Sequence, residues 1–280
     1  MLTIDAQVHA YERDHTGRPW VDVLTGPPEV TGDDMVAAMD AVGVDAAILV
    51  SIWTMYRYDA SYAMSVRAAH PNRFALVKPV DPADPAVEET IADWAETDGA
   101  LGVRIMLTDA AANDPDDPGT NRVLAAAGRC GLPVNLSCRD RLALVGALAA
   151  RNEGTQLVVD HLGLFQPRVP PAPPEPFAEL PSLLGLAPYE NVAVKFSGAC
   201  TLSREPFPYD DLWDPLGRVF DAFGFDRCMW GTDWTRAINV VTYENGVEPF
   251  RLTNRLSDAE RTALMGGTLQ RIYRWTPEGR

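Results

Sequence analysis

Several things are missing from this 280-residue chain, and each absence removes a class of protein. Its four cysteines, at positions 130, 138, 200 and 228, are scattered with no CxxC spacing. Neither a disulfide framework nor a thiolate zinc site is suggested, and they read as reduced core residues. Positive charge is in deficit. Lys and Arg number 24 against 39 Asp and Glu, a formal net charge of −15. Nucleic acid and anionic membrane surfaces need a basic face, so neither is an expected partner. Nowhere do 18 apolar residues run together, and no basic segment with an apolar stretch precedes "LTIDAQV". No membrane span or leader is read from this, and a cytoplasmic location is expected. No heptad run or exposed apolar helix face argues for a particular assembly.

What is present is a repeated alternation. Short apolar runs occur at "LTIDAQV", "DAAILV", "RFALVKPV", "LGVRIML", "LPVNLS", "TQLVVD", "NVAVKFS" and "RCMWG". Segments of helical spacing separate them, at roughly 31–42, 59–70, 85–97, 121–129, 139–152, 176–186, 209–223 and 257–275. Eight strands alternating with eight helices, with no linker or change of composition, predict a single (β/α)8 barrel, a TIM barrel, spanning residues 1–280. A doubly wound open sheet is the runner-up, but it expects a Gly-rich turn after the first strand, and "QVHAYERD" has no Gly. Two segments exceed a minimal barrel. Residues 166–181 carry seven Pro after the sixth strand, which predicts a stiff loop. Residues 235–256 follow the eighth strand. Both lie after strand C-termini, where such barrels build their sites, and are expected over the mouth.

Strand parity separates outward apolar side chains from inward polar ones. In the first strand Asp5, Gln7 and His9 share the side opposite Ile4, Ala6 and Val8. In the fourth, Arg104 opposes Val103 and Ile105; in the fifth, Asn135 and Ser137 oppose Val134 and Leu136; in the seventh, Lys195 and Ser197 oppose Val194 and Phe196. Lys78 and His161 lie at the ends of the third and sixth strands, and Asp233 emerges from "WGTDW" at the end of the eighth. Taken singly, each has an ordinary structural role: a lone inward His is usually hydrogen-bonded core, and an Asp after a strand caps a turn. Ionisable groups from five or more strands meeting at one barrel end by chance is much less probable.

The motifs "IDAQVH", "VVDHLG" around His161, "NVAVKFSG" around Lys195 and "FGFDRCMWGTDW" ending at Asp233 resemble the amidohydrolase-related (amidohydrolase 2) family, and within it the branch of sugar and dicarboxylate lactonases. The closing "LSDAERTALMGGTLQRIYRW" is similar to that family's last helix. The resemblance implies a barrel hydrolase whose first-strand HxH, fifth-strand His, sixth-strand His and eighth-strand Asp hold divalent metal. In this chain Gln7 stands at the first of these positions and Asn135 or Ser137 in the fifth strand, so two expected His are absent. His9, His161 and Asp233 remain as a ligand set for a single divalent ion such as zinc. Some lactonases of the branch need no metal, and the metal-free form, with no cofactor, is the favoured expectation.

The resulting expectation is a hydrolase that opens a lactone or related ester of a small carboxylate-bearing molecule. Asp233 is the expected base, with its pKa raised by Trp53 and Trp234. His161 is expected on the carbonyl or the water, and His9 on Asp233 or the substrate. Arg104, Lys195 and Lys78 supply positive charge, Arg104 as a forked carboxylate contact. Trp53, Tyr56 and Arg57 form a wall, and Gln7, Asn135 and Ser137 add polar contacts. The alternatives are a metal-dependent hydrolase or decarboxylase using His9, His161 and Asp233, and a barrel that only binds a small acid.

Overall fold

In the computed structural model, which describes residues 1–107 and 114–278, all eight apolar runs are strands of one parallel sheet in sequence order. They are β1 (Ile4–Val8), β2 (Ala46–Val50), β3 (Phe74–Pro79), β4 (Ala100–Met106), β5 (Val134–Ser137), β6 (Leu157–Val159), β7 (Val192–Lys195) and β8 (Cys228–Met229). The first and last strands meet through Ala6 N–H to the Trp230 carbonyl at 3.1 Å and Asp233 N–H to the Gln7 carbonyl at 2.9 Å. The sheet is thereby a (β/α)8 barrel, as expected. No helix among the described residues is long and apolar enough to cross a membrane.

Two apolar layers follow from strand parity. Val8, Leu49, Leu76, Ile105, Leu136, Val159, Val194 and Trp230 face the surrounding helices. A smaller set, including Ile4, Ala6, Ile48, Val77, Val158, Ala193 and Met229, packs along the axis, with Leu269, Ile272 and Tyr273 of the last helix beneath it. The β1 register shifts between Asp5 and Val8. That shift corrects the parity expected for Asp5: it leaves the axis to Ile4 and Ala6, and the Asp5 carboxylate turns into the β1–β8 seam. There it accepts from Gln7 N–H, from Thr232 N–H and Oγ1–H, and from Tyr243 Oη–H. Gln7 and His9, past the bulge, remain inward.

Helix boundaries follow local chemistry. Thr31 caps Gly32–Ala41 in a reciprocal capping box with Asp34, and Ser257 does the same with Glu260 for Asp258–Thr262. The single helix expected over 257–275 instead relaxes into a π turn at Ala263–Gly267 before Thr268–Tyr273. A Cβ on Gly266 would lie 2.8 Å from the Leu2 carbonyl, so the turn brings this backbone directly against β1. The segment 235–256 is corrected from a loop: it holds the helices Trp234–Ala237 and Tyr243–Leu252. The second packs outside the β1–β8 seam, with Trp230 Nε1 donating to the Gly246 carbonyl. The Pro-rich stretch is irregular until Leu180–Leu184, as six of its seven prolines require, and Pro181 sits in the first turn of that helix.

Candidate active site

The floor of the site is built around a residue not singled out by motif spacing, Asp160. It is fully buried and receives Arg104 Nε at 2.8 Å and Lys195 Nζ at 3.2 Å. Burial alone favours the neutral acid, but Lys195 and Arg104 outweigh it and hold the carboxyl below its ordinary range. Burial in turn pulls Lys195 below the usual lysine range, against the pull of Asp160. Lys195 Nζ also donates to Gln7 Oε1 at 3.2 Å. An ammonium can only donate, so the amide orientation is settled: the oxygen faces Lys195 and Nε2–H2 faces His161.

That orientation assigns the His161 tautomer. Its Nε2 lies 3.3 Å from Gln7 Nε2 and 3.4 Å from Arg104 Nη2, both donors, so Nε2 carries the lone pair. Nδ1 carries the proton, 3.0 Å from Ser197 Oγ. Burial pushes the imidazole down to about 4, with Asp233 and Asp160 opposing and Arg236 and Arg104 reinforcing the shift. His161 is neutral at physiological pH.

Asp233 occupies the other side. Its Oδ2 accepts from Arg236 Nε, and His161 Nδ1 lies 3.7 Å away. Its Oδ1 faces His9 Nε2 at 3.2 Å, an ion-pair contact, and meets no aligned hydrogen-bond donor among the described residues. His9 Nδ1 is committed as donor to the Val50 carbonyl at 2.7 Å. The contact between Nε2 and Oδ1 is therefore attractive only with one proton between them. The expectation that tryptophans raise the Asp233 pKa is reversed. Burial does oppose ionisation, but Arg236, His161 and His9 outweigh it and keep the carboxyl well below the ordinary range.

Arg236 is held in turn by Gln166, whose Oε1 accepts from Nη2 at 2.7 Å while its Nε2 donates to the Ser197 carbonyl at 2.8 Å. Gly198, at φ 72°, makes room for this amide: a Cβ there would lie 2.1 Å from Gln166 Oε1. His161 and Asp233 themselves have left-handed backbones, at φ 57° and 48°. Such conformations disfavour L-residues and persist where surrounding contacts fix them, a pattern typical of functional sites.

A cavity of about 480 Å³ opens above this floor. His9, His161, Arg104, Trp53 and Ser137 line it, together with Leu24, Gln166, Arg139, Arg168 and Arg236. Gln7, Asn135 and Lys195 lie fully buried beneath the lining rather than on it. Asn135 Oδ1 accepts from Tyr273 Oη–H at 2.6 Å, which ties the last helix to the floor. Lys78 is corrected: it shares the outward side of Leu76, and Nζ lies 5.6 Å from the Trp94 ring centroid. Tyr56 and Arg57 also stay off the lining. Glu12 N–H donates to Tyr56 Oη, and Arg57 stacks on Trp53 at 4.1 Å while donating to the Trp53 and Thr54 carbonyls. Arg104, expected to fork onto a substrate carboxylate, gives Nε to the internal Asp160 carboxylate, with Nη2 3.4 Å from His161 Nε2.

The donor set for a metal is thin. Among the described residues no group of three or more His, Cys, Asp or Glu is arranged to hold an ion. His9 Nε2 and Asp233 Oδ1 face each other, but both His161 nitrogens are engaged and a guanidinium occupies Asp233 Oδ2. A catalytic zinc takes three protein ligands, so the set does not fit one.

A parallel barrel that gathers ionisable groups from β1, β4, β6, β7 and β8 at its strand C-termini has the construction of a barrel enzyme. Residues 4–275 match the family model described as amidohydrolase, and the chain belongs to that family, which places it among the hydrolases. It is 28% identical over 295 residues to L-fucono-1,5-lactonase of Burkholderia multivorans, covering 97% of this chain and 96% of that one. It is 26% identical over 213 residues to 4-sulfomuconolactone hydrolase of Hydrogenophaga intermedia, covering 74% and 66%. Among solved structures it is similar to an amidohydrolase from Burkholderia multivorans with bound zinc, at TM-score 0.83 and 26% identity over 99% of this chain and 100% of that one.

Proposed function

We propose that this protein hydrolyses a lactone, or a related ester, of a small carboxylate-bearing molecule, by a water attack that uses Asp233 and needs no catalytic metal. The likeness to two proteins named for lactone hydrolysis supports the reaction class. The observation that carries the mechanism is the 3.2 Å contact between His9 Nε2 and Asp233 Oδ1, with His9 Nδ1 locked on the Val50 carbonyl. This pair has one place for a proton and acts as a single base.

With that place empty, the lone pair of neutral His9 Nε2 faces the Asp233 carboxylate, and their repulsion makes the pair eager for a proton; His9 lines the cavity and Asp233 lies behind it. A water on the cavity side attacks the ester carbonyl carbon and gives its proton to the pair, which becomes an imidazolium–carboxylate. The charge forming on the carbonyl oxygen is met by Arg104 Nη2, fixed in place because Nε is held by Asp160. Collapse breaks the bond to the leaving oxygen, which takes the proton back from the pair, giving a hydroxyl and a carboxylic acid that loses its proton to water. His161, neutral and anchored at both nitrogens, positions Arg104 and supports Asp233.

The donor set supports the metal-free form, since a metal-dependent hydrolase or decarboxylase on this site would need a third free ligand. Replacing Asp233 by Asn is the direct test. The expected result is a loss in kcat of about 10²–10⁴-fold on a lactone panel, the usual weight of a positioned base. Full activity in that variant would contradict the assignment.

A further inference from the structure

Four arginines, Arg104, Arg139, Arg168 and Arg236, line the cavity with two histidines, and among the described residues no Asp or Glu joins them. This is unexpected in a chain of net charge −15. The four are not equivalent. Arg104 shares buried Asp160 with Lys195, and Arg236 is held by buried Asp233. Their charge is spoken for by the floor. At the mouth, the one carboxylate paired with Arg139 among the described residues is Asp140, 3.3 Å away with both side chains largely in solvent, a contact of little strength. Arg168 makes no hydrogen bond or ion pair among the described residues.

Arg168 is also set against like charge. Partial withdrawal from water lowers its pKa, with Arg236 and Arg139 pushing the same way and Asp233 and Asp22 pulling against them. Exposed at the mouth and unpaired among the described residues, its guanidinium is free to take an arriving anion. The two side chains are carried on prepared supports. Arg139 stacks 5.0 Å from the Phe165 ring centroid. Arg168 sits between Pro167 and the pair Pro170 and Pro171, whose fixed φ angles reduce the ordering cost of binding.

We infer that Arg168 and Arg139 form the subsite for an oxyanion, a carboxylate or sulfonate, that the substrate carries away from its reacting carbonyl. The inference rests on the lactone reading for the reaction but not for the binding. It divides the cavity in two: the ester carbonyl sits at the floor beside Arg104 and the His9–Asp233 pair, and the mouth arginines receive the charged substituent. A planar guanidinium fork matches such an oxyanion better than an ammonium does. Selection for charged over neutral substrates then resides in the loops after β5 and β6.

The test compares a γ-butyrolactone bearing a ring carboxylate or a ring sulfonate with the corresponding primary amide. In Arg168→Met, KM for the charged lactones should rise about ten-fold or more beyond any rise for the amide, the weight of one charge-assisted contact. Their kcat should change much less, Arg168→Lys should recover part of the loss, and Arg139→Met should add to it. Whichever of carboxylate and sulfonate shows the larger change identifies the preferred oxyanion. Equal changes for charged and neutral lactones would overturn the subsite. Where none of these lactones turns over, calorimetric titration with tetrahydrofuran carboxylate and its amide reads the subsite alone. Preference for the carboxylate in the natural protein, lost by about ten-fold in Arg168→Met, supports it. Indifference to charge in the natural protein contradicts it, whatever the reaction.

Discussion

Arg236 Nε donates to Oδ2 of Asp233, three residues earlier, and this contact turns the carboxylate's other oxygen toward His9. Arg236 is also the strongest of the charges holding Asp233 ionised against its burial. Replacing Arg236 by Met should therefore raise the Asp233 pKa. The acid limb of the kcat/KM profile should move to higher pH, and the rate on the plateau should fall. A pH–rate profile for a lactone substrate checks both. An unshifted acid limb would mean that Arg236 serves the cavity and not Asp233.

Asp160 has the opposite arrangement, one buried carboxylate between two buried cations. Asp160→Asn leaves Arg104 and Lys195 facing one another without compensation. The expected loss of stability is about 3–5 kcal/mol, as for other buried ion pairs broken from one side. Lys195→Met should cost less, because Asp160 keeps Arg104. Urea unfolding of the two variants gives the order, and a more damaging Lys195 change would contradict it.

Stability against pH tests the seam and the floor together. Burial raises Asp5 from 3.8 to about 6 despite four hydrogen bonds. Between those values the folded state binds more protons than the unfolded chain, so this group loses about 3 kcal/mol of stability as pH rises through the window. His161, lowered from 6.5 to about 4, acts in the other sense: its contribution, of order 3 kcal/mol, is lost as pH falls through 6.5 toward 4. The two nearly cancel, and between pH 4 and 6 these groups leave the natural protein's stability close to flat. Asp5→Asn removes one side of the balance, so stability should fall with decreasing pH across the same interval. Denaturant midpoints at the two ends of the window decide it; an unchanged, flat profile would show that Asp5 does not titrate there.

The barrel was legible because its strands are buried on both faces and read as near-continuous apolar runs separated by helical spacing. Inward parity held where the strands are regular, at Arg104, Asn135 and Lys195. It failed at Asp5, where a register shift no local pattern announces turns the carboxylate outward. Lys78 was placed by its nearness to a strand end, although it shares a side with Leu76. Asp160 stood in plain view beside His161, but its meaning depends on Arg104 and Lys195, which the barrel brings from β4 and β7. Arg236 lies three residues after Asp233, a spacing that pairs the two side chains only where the segment turns as a helix, which an expected loop over 235–256 conceals. The loop after β1 contributes Leu24 to the cavity, and the directions of Tyr56 and Arg57 are set by that loop and by Trp53. Loop direction depends on contacts that residue spacing does not encode.

The central claim is that the His9–Asp233 pair activates water without a metal ion. Its most direct test is the rate of lactone hydrolysis by protein stripped with a strong chelator, with residual metal measured by elemental analysis on the same sample. If the pair works alone, kcat/KM stays unchanged at substoichiometric metal and does not rise on adding zinc. Loss of activity on stripping, restored by one equivalent of zinc or manganese, would contradict it.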